Sequence, residues 1–222
     1  MTHGVNVIAI DGPVAAGKTA VGRELALVLG FAYLDTGIMY RAITWLALKN
    51  GVDIEDESAL GDLALNNPVG LVSDKGNQVS VAGHTLGLEL RESAVDQNVS
   101  IVSKALPVRT ELVTQQRLIA AQNKIVVIGR DIGTEVLPDA DLKIYLIAAP
   151  EIRAKRRWQE MRDRGQIMDL MTVLDETIKR DDIDSGRANS PLKSAEDAWQ
   201  LNTDGLEIQE VVQQIVERTK TL

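Results

Sequence analysis

The segment Gly12-Pro13-Val14-Ala15-Ala16-Gly17-Lys18-Thr19 constrains this chain more than any other. It fits the spacing G-x-x-x-x-G-K-[ST]. Ahead of it, Val5 to Ile10 is a nearly continuous apolar run, which reads as a strand buried on both faces. Behind it, a helix is expected from about Lys18 to Leu29, with Val21, Leu25 and Val28 on one face and Gly30 as its stop. Strand, glycine-rich turn and helix in that order make a phosphate cradle. The glycines let the backbone turn and approach anionic oxygens. Successive N–H groups form a concave nest at the positive end of the helix. Lys18 is placed to reach the β and γ phosphates of a nucleotide, and the Thr19 hydroxyl to ligate Mg²⁺. Gly12, Pro13, Val14, Ala15, Ala16, Gly17, Lys18, Thr19 and Ala20 are therefore the candidate ATP-binding set. The motif alone gives nucleotide binding and not a reaction type.

The rest of the chain alternates strand and helix signals. A second helix is expected from about Gly37 to Lys49, apolar at Met39, Ile43 and Leu46, and a weaker one over Ser58 to Leu65. From Pro68 to about Leu90 the character changes. Leu71 to Val81 reads as two strands around a polar turn, either an inserted β subdomain or a long surface hairpin. A helix near Pro107 to Gln122 precedes the apolar strand Ile125-Val126-Val127-Ile128, and Leu142 to Ile147 is a further buried strand. Pro150 opens a helix carrying Arg153, Arg156, Arg157 and Arg162. Asp169 to Arg180 is helical, with Leu170, Leu174 and Ile178 in register. Ala198 to Leu201 is the last strand, and the final helix puts Ile208, Val211, Val212, Ile215 and Val216 on one stripe. The alternation implies an α/β fold, a parallel sheet covered by helices on both faces. With 222 residues the chain suffices for one core plus a small insert.

Composition removes several classes of function. There is no cysteine, so disulfides, thiolate zinc sites and cysteine nucleophiles are excluded. His3 and His84 stand in no metal-ligand spacing. A net charge of -8 disfavours nonspecific binding to nucleic acid. No run is long and apolar enough to span a membrane, and the N-terminus Met1-Thr2-His3-Gly4 lacks the basic start of a secretion signal. The expectation is a cytoplasmic protein and a monomer.

The arginines bear on reaction type. Transfer between two phosphate-bearing substrates is mostly positioning and electrostatics, and the planar, always-charged guanidinium suits it. Arg41 lies one turn into the helix opened by Asp35-Thr36-Gly37, where Thr36 is an N-cap, a phosphate ligand, or both. Gly129-Arg130-Asp131 sits just past the carboxyl end of a buried strand, where open α/β sheets bind ligands. Arg130 and Asp131 are thus site candidates or a local ion pair. Arg153, Arg156 and Arg157 form either a solvated basic face or a lid over ATP. Arg180, Asp184 and Arg187 are read as lying in or beside a polar loop around Gly186.

Taken together, these segments resemble bacterial cytidylate kinases: Ile8-Ala9-Ile10-Asp11-Gly12-Pro13, Tyr33-Leu34-Asp35-Thr36-Gly37 with Tyr40-Arg41, Gly129-Arg130-Asp131-Ile132-Gly133-Thr134, Arg180-Asp181-Asp182 and Arg187. Ser100 to Arg109 and the β insert also fit, so the resemblance covers about residues 5 to 220. It implies a P-loop three-layer fold in a single domain, with a CMP-binding insert at about 63–100 and an arginine-bearing lid at about 153–182. It implies phosphoryl transfer from ATP to CMP or dCMP with Mg²⁺. Thr36, Tyr40, Arg41, Arg130 and Arg187 would hold the acceptor phosphate. Ser100, Arg109 and Asp131 would read cytosine, and Arg180 and Asp184 the sugar. Lys18, Arg130, Arg157 and Arg187 are the candidates for stabilising the group in flight. The chain departs from the family pattern at Val14, at Ala20 where a threonine is usual, and at Pro107, one place later than usual.

Other readings remain open at this point. A kinase of the same fold acting on UMP or shikimate would share the loop. A GTP switch would need Asn-Lys-x-Asp, but Asn123-Lys124 is followed by Ile125-Val126. A nucleotide-binding module without catalysis would not need so full a set of arginines.

Overall fold

The computed structural model describes residues 4–72, 78–163, 165–186 and 189–221. The elements run β1 (Val7–Asp11), α1 (Lys18–Leu29), β2 (Ala32–Asp35), α2 (Thr36–Asn50), α3 (Glu57–Asn66), β3 (Gly70–Leu71), β4 (Val79–Val81), β5 (His84–Leu86), α4 (Ser93–Val102), α5 (Leu106–Ala121), β6 (Ile125–Ile128), β7 (Leu142–Ile147), α6 (Pro150–Asp163), α7 (Leu170–Ser185), β8 (Trp199–Asn202) and α8 (Ile208–Thr219). A short 3₁₀ turn covers Leu88–Arg91, and a single π-helical turn covers Ile132–Val136.

The main sheet has five strands in the order β2-β6-β1-β7-β8. β1 pairs in parallel with β7, Ile8 beside Leu142 and Ile10 beside Ile144, and β7 pairs in parallel with β8. Burial follows strand position. All four residues of β6 are buried, as are Ile8 to Asp11 of β1, while β8 buries only Leu201. A strand covered on both faces has no use for polar alternation, which is why β1 and β6 are apolar runs.

The chain forms two compact units, Met1–Phe31 with Val126–Leu222, and Ala32–Ile125. In the first, α1 packs on α8 and α6 on α7. In the second, α3 packs on α5 and α2 on α4, and β3-β4-β5 form a separate antiparallel sheet. Among the described residues no helix is long and apolar enough to cross a membrane.

Several expectations are met and several corrected. α1 runs over Lys18–Leu29 as expected, but Val28 is exposed and the buried face is Val21, Gly22, Leu25 and Ala26. The β insert has a third strand, His84–Leu86, and its expected polar turn at 73–77 lies outside the described residues. β2 is too short for a periodic signal, and only Tyr33 and Leu34 in it are buried. α4 has the helical stripe Val95, Val99 and Val102, which the polar residues between them obscured.

The largest correction concerns α7. The helix holds Arg180 as expected but continues past it to Ser185, so Asp184 is helical and not in a loop. Its buried face is Val173, Thr177 and Asp184, whereas Leu170 and Ile178 are exposed. Apolar periodicity points to the wrong face here, because the residue closing the buried stripe is a carboxylate compensated by arginines.

Candidate active site

β1 ends in Asp11 and hands the chain to the phosphate loop. Gly12 has φ 148°, and a Cβ there would lie 2.5 Å from the Leu146 carbonyl oxygen on β7. Only glycine lets the loop leave the sheet at this point. Gly17, at φ 101°, is the N-cap of α1 and offers no side chain to cap it. A helix opened by a glycine, with no side chain at its cap, presents its first turn to an anion. Ala15 adopts φ 58°, an unusual conformation for a residue with a Cβ. Lys18 folds over the loop and donates through Nζ to the carbonyls of Gly12 at 2.6 Å and Pro13 at 2.7 Å. Thr19 and Ala20 are exposed at the start of α1, and Ala16 is buried.

Asp11 ties this loop to the next one. Its Oδ1 accepts from Ile132 N–H at 2.8 Å and its Oδ2 from Gly133 N–H at 2.7 Å. Those donors belong to the π-helical turn that begins after Asp131, whose carbonyl oxygen accepts from both Glu135 and Val136. Gly129 N–H also donates to Ile10. Asp131 is itself buried, at the carboxyl end of β6. Burial pushes the Asp11 carboxyl up to about 6, against the pull of the two N–H donors; the Asp131 charge raises it further and Lys18 lowers it. Burial likewise pushes the Tyr145 phenol up, with Asp11 and Asp181 adding to the shift and Arg153 opposing it.

Three arginines of this unit, Arg130, Arg153 and Arg180, converge on carboxylates. Arg130 Nε lies 2.5 Å from Asp184 Oδ2, and Arg180 Nε donates to the same oxygen at 3.3 Å. The Asp184 side chain is fully buried. Arg153, also buried, donates to Ala148 O, Val14 O and both oxygens of Asp181. Arg156 donates to Thr203 Oγ1 and O, and Thr203 Oγ1 in turn donates to Ala16 O. Arg157, on the same helix, is half-buried. Arg187 lies outside the described residues. Arg130, Arg180 and Asp184, read from sequence as separate contacts, are thus one cluster.

The second unit holds the other candidates. Asp35 is the N-cap of α2 and accepts from Gly37 N–H at 3.0 Å, so Thr36 is the first helical residue and not the cap. Thr36 and Tyr40 are buried. Arg109 of α5 is 5% exposed, its guanidinium carbon 5.7 Å from the centre of the Tyr40 ring. It donates to Ser103 O at 3.3 Å, and Ser103 Oγ donates to Ser100 O. Ser100 is half-buried on α4. Arg41 donates through Nη1 to Asp96 at 2.5 Å and to Leu90 O at 2.9 Å. Pro107 falls in the first turn of α5, where proline is tolerated, and Arg109 N–H bonds Ala105 O, so the helix around Arg109 is regular.

Sequence reasoning passed over Asp11, Asp96, Asp181 and Thr203 as site-supporting residues. Asp11 alone carried a signal: an acidic residue closing a strand otherwise apolar is either paired or functional. The others depend on contacts across many residues of chain.

The chain matches the family model for cytidylate kinase over residues 8–221. It is 45% identical over 211 residues to a cytidylate kinase of Bacillus velezensis, covering 95% of this chain and 94% of that protein. It is 45% identical over 217 residues to a cytidylate kinase of Streptococcus suis, covering 97% and 96%. Among solved structures, an uncharacterized protein from Eubacterium ventriosum shares the fold, with a TM-score of 0.51 at 13% identity, covering 97% of this chain and 99% of that one.

Proposed function

The chain belongs to the cytidylate kinase family, and from that premise we propose that it transfers the γ-phosphoryl group of ATP to CMP or dCMP, giving ADP and CDP or dCDP. The observation that carries this reading is the burial of Asp131, a carboxylate kept at the ligand-binding end of β6 beside the phosphate loop's own anchor, Asp11.

The chemistry follows from the residues. The amides of Gly12 to Ala20 and the Lys18 ammonium hold the ATP phosphates. Lys18 already bridges two loop carbonyls, so its charge is held at the loop's inner side. Arg130 and Arg187 hold the acceptor phosphate with Thr36, Tyr40 and Arg41, and Arg157 joins them in spreading charge over the group in flight. The acceptor oxygen is anionic near neutral pH, so no general base is required. Transfer is in-line, with no phosphoenzyme. Closure of the α6–α7 lid excludes water and suppresses hydrolysis of ATP.

Base choice rests on Ser100, Arg109 and Asp131. Cytosine presents an amino donor to the Asp131 carboxylate, and acceptors to Arg109. Uracil presents a carbonyl there, leaving buried acceptors face to face, a cost of about 1–3 kcal/mol. Arg180 and Asp184 hold the sugar, with Asp184 also fixing Arg130.

Mg²⁺ fits the donor set. Thr19 is exposed at the start of α1, next to Lys18. Among the described residues no group of three or more histidine, aspartate or glutamate side chains is gathered for a metal. Mg²⁺ at a nucleotide site is held largely by substrate phosphates and water. When bound, it neutralises charge on the ATP phosphates.

Purified protein with ATP, Mg²⁺ and CMP, dCMP, UMP, AMP or GMP in turn tests the assignment. ADP release is expected with CMP and dCMP, and less with UMP. Release with AMP or GMP but none with CMP overturns it.

A further inference from the structure

Helices α6 and α7 form a hairpin whose two ends meet in one ion pair. Arg153 stands near the start of α6 and Asp181 near the end of α7. The guanidinium grips the carboxylate with both arms, Nη1 to Oδ1 at 3.1 Å and Nη2 to Oδ2 at 2.5 Å. This fork fixes orientation as well as distance. The same group donates through Nε to Ala148 O at 2.9 Å, just past β7, and through Nη1 to Val14 O at 3.2 Å, at the crest of the phosphate loop. Its side chain is 4% exposed. With both terminal nitrogens and Nε engaged by protein oxygens, little of the guanidinium remains for a phosphate.

Arg156, one turn on, reaches the loop indirectly, through Thr203 to Ala16 O. Two loop carbonyls are therefore held from α6. The far side of the hairpin is closed separately, where Trp158 Nε1 donates to Met168 O at 2.9 Å. Beyond Asp181 on α7 lies Asp184, which holds Arg130. A continuous line of contacts thus runs from the ATP loop through Arg153 and α7 to the acceptor-site arginine.

We infer that the Arg153–Asp181 pair is the fixed base of the α6–α7 hairpin, and that Arg153 serves phosphoryl transfer as a positioning residue, holding this hairpin to the phosphate loop, and not as a ligand of ATP. The lid's movement then belongs to the residues between the pair, with Arg157 carried on the moving part. This rests on the roles proposed above for the phosphate loop and Arg130.

The test is steady-state kinetics with ATP and CMP on Arg153→Met, Asp181→Asn, the two combined, and Arg153→Lys, with thermal unfolding of each. Arg153→Lys retains a cation beside Asp181 and keeps the measurement available if Arg153→Met does not fold. Asp181→Asn is expected to lower kcat by about tenfold or more, as the Arg153 variants do, with KM for ATP moving less than about threefold. The combined variant should fall no more than about threefold below the worse single one, since both break one contact. The inference is overturned by any of three results. These are a KM for ATP raised about tenfold in the Arg153 variants alone, losses that multiply in the combined variant, or full activity throughout. Absence of CMP-dependent ADP release from the unaltered protein overturns the functional reading instead, and is seen before any variant is made.

Discussion

Replacing Asp11 by asparagine separates the charge of this residue from its shape. In the folded protein the carboxyl is pushed up to about 6 from 3.8, chiefly by burial. A carboxyl whose folded value is raised binds its proton more tightly when folded than when unfolded. Stability therefore falls as pH rises from about 4 through about 6 and levels off above that. A rise of about two units corresponds to about 3 kcal/mol between the ends of that window. Asparagine removes this term at every pH. It keeps one oxygen for Ile132 or Gly133 but turns an amide N–H₂ toward the other donor, which costs about 1–3 kcal/mol. The two effects offset near pH 7, so the variant should match the unaltered protein there and be less stable near pH 4.5. Urea unfolding of both proteins from pH 4.5 to 7.5 measures the difference. The exposed carboxyls Glu89 and Asp197, which are pulled down by hydrogen bonds, occur in both proteins and cancel. A difference that stays constant across the window refutes the argument, because it means that Asp11 titrates alike folded and unfolded.

The other predictions concern the same unit. Asp131→Ala should lose most CMP kinase activity while ATP affinity, read by nucleotide titration, changes little; equal loss of both removes Asp131 as a base reader. Gly12→Ala places a Cβ 2.5 Å from Leu146 O at a φ that favours glycine, and should destabilise by about 1–3 kcal/mol in denaturant unfolding. Asp184→Asn leaves Arg130 and Arg180 together without their buried anion, and should cost about 1–3 kcal/mol of stability and raise KM for CMP more than KM for ATP.

Which parts were legible follows from the range of the interactions. The phosphate loop was readable because its mechanism is local: eight consecutive residues, a strand before and a helix after, all within about thirty positions of chain. β1 and β6 were readable because double-sided burial leaves an unbroken apolar run. The extent and face of α7 were not, because its buried stripe closes with Asp184, and a buried carboxylate carries no hydrophobic signal. The grouping of Arg153 with Asp181, and of Arg156 with Thr203, was equally silent, since each joins residues 28 and 47 apart.

By itself, then, the order of residues determined a nucleotide cradle on a parallel sheet and supplied arginines enough for a second phosphate. Tertiary structure alone decided which of those arginines are already occupied. A guanidinium on a helix reads the same whether it faces water, substrate or a carboxylate brought back from a distant turn. Only the folded path of β7, α6 and α7 brings Asp181 to Arg153 and Asp184 to Arg130.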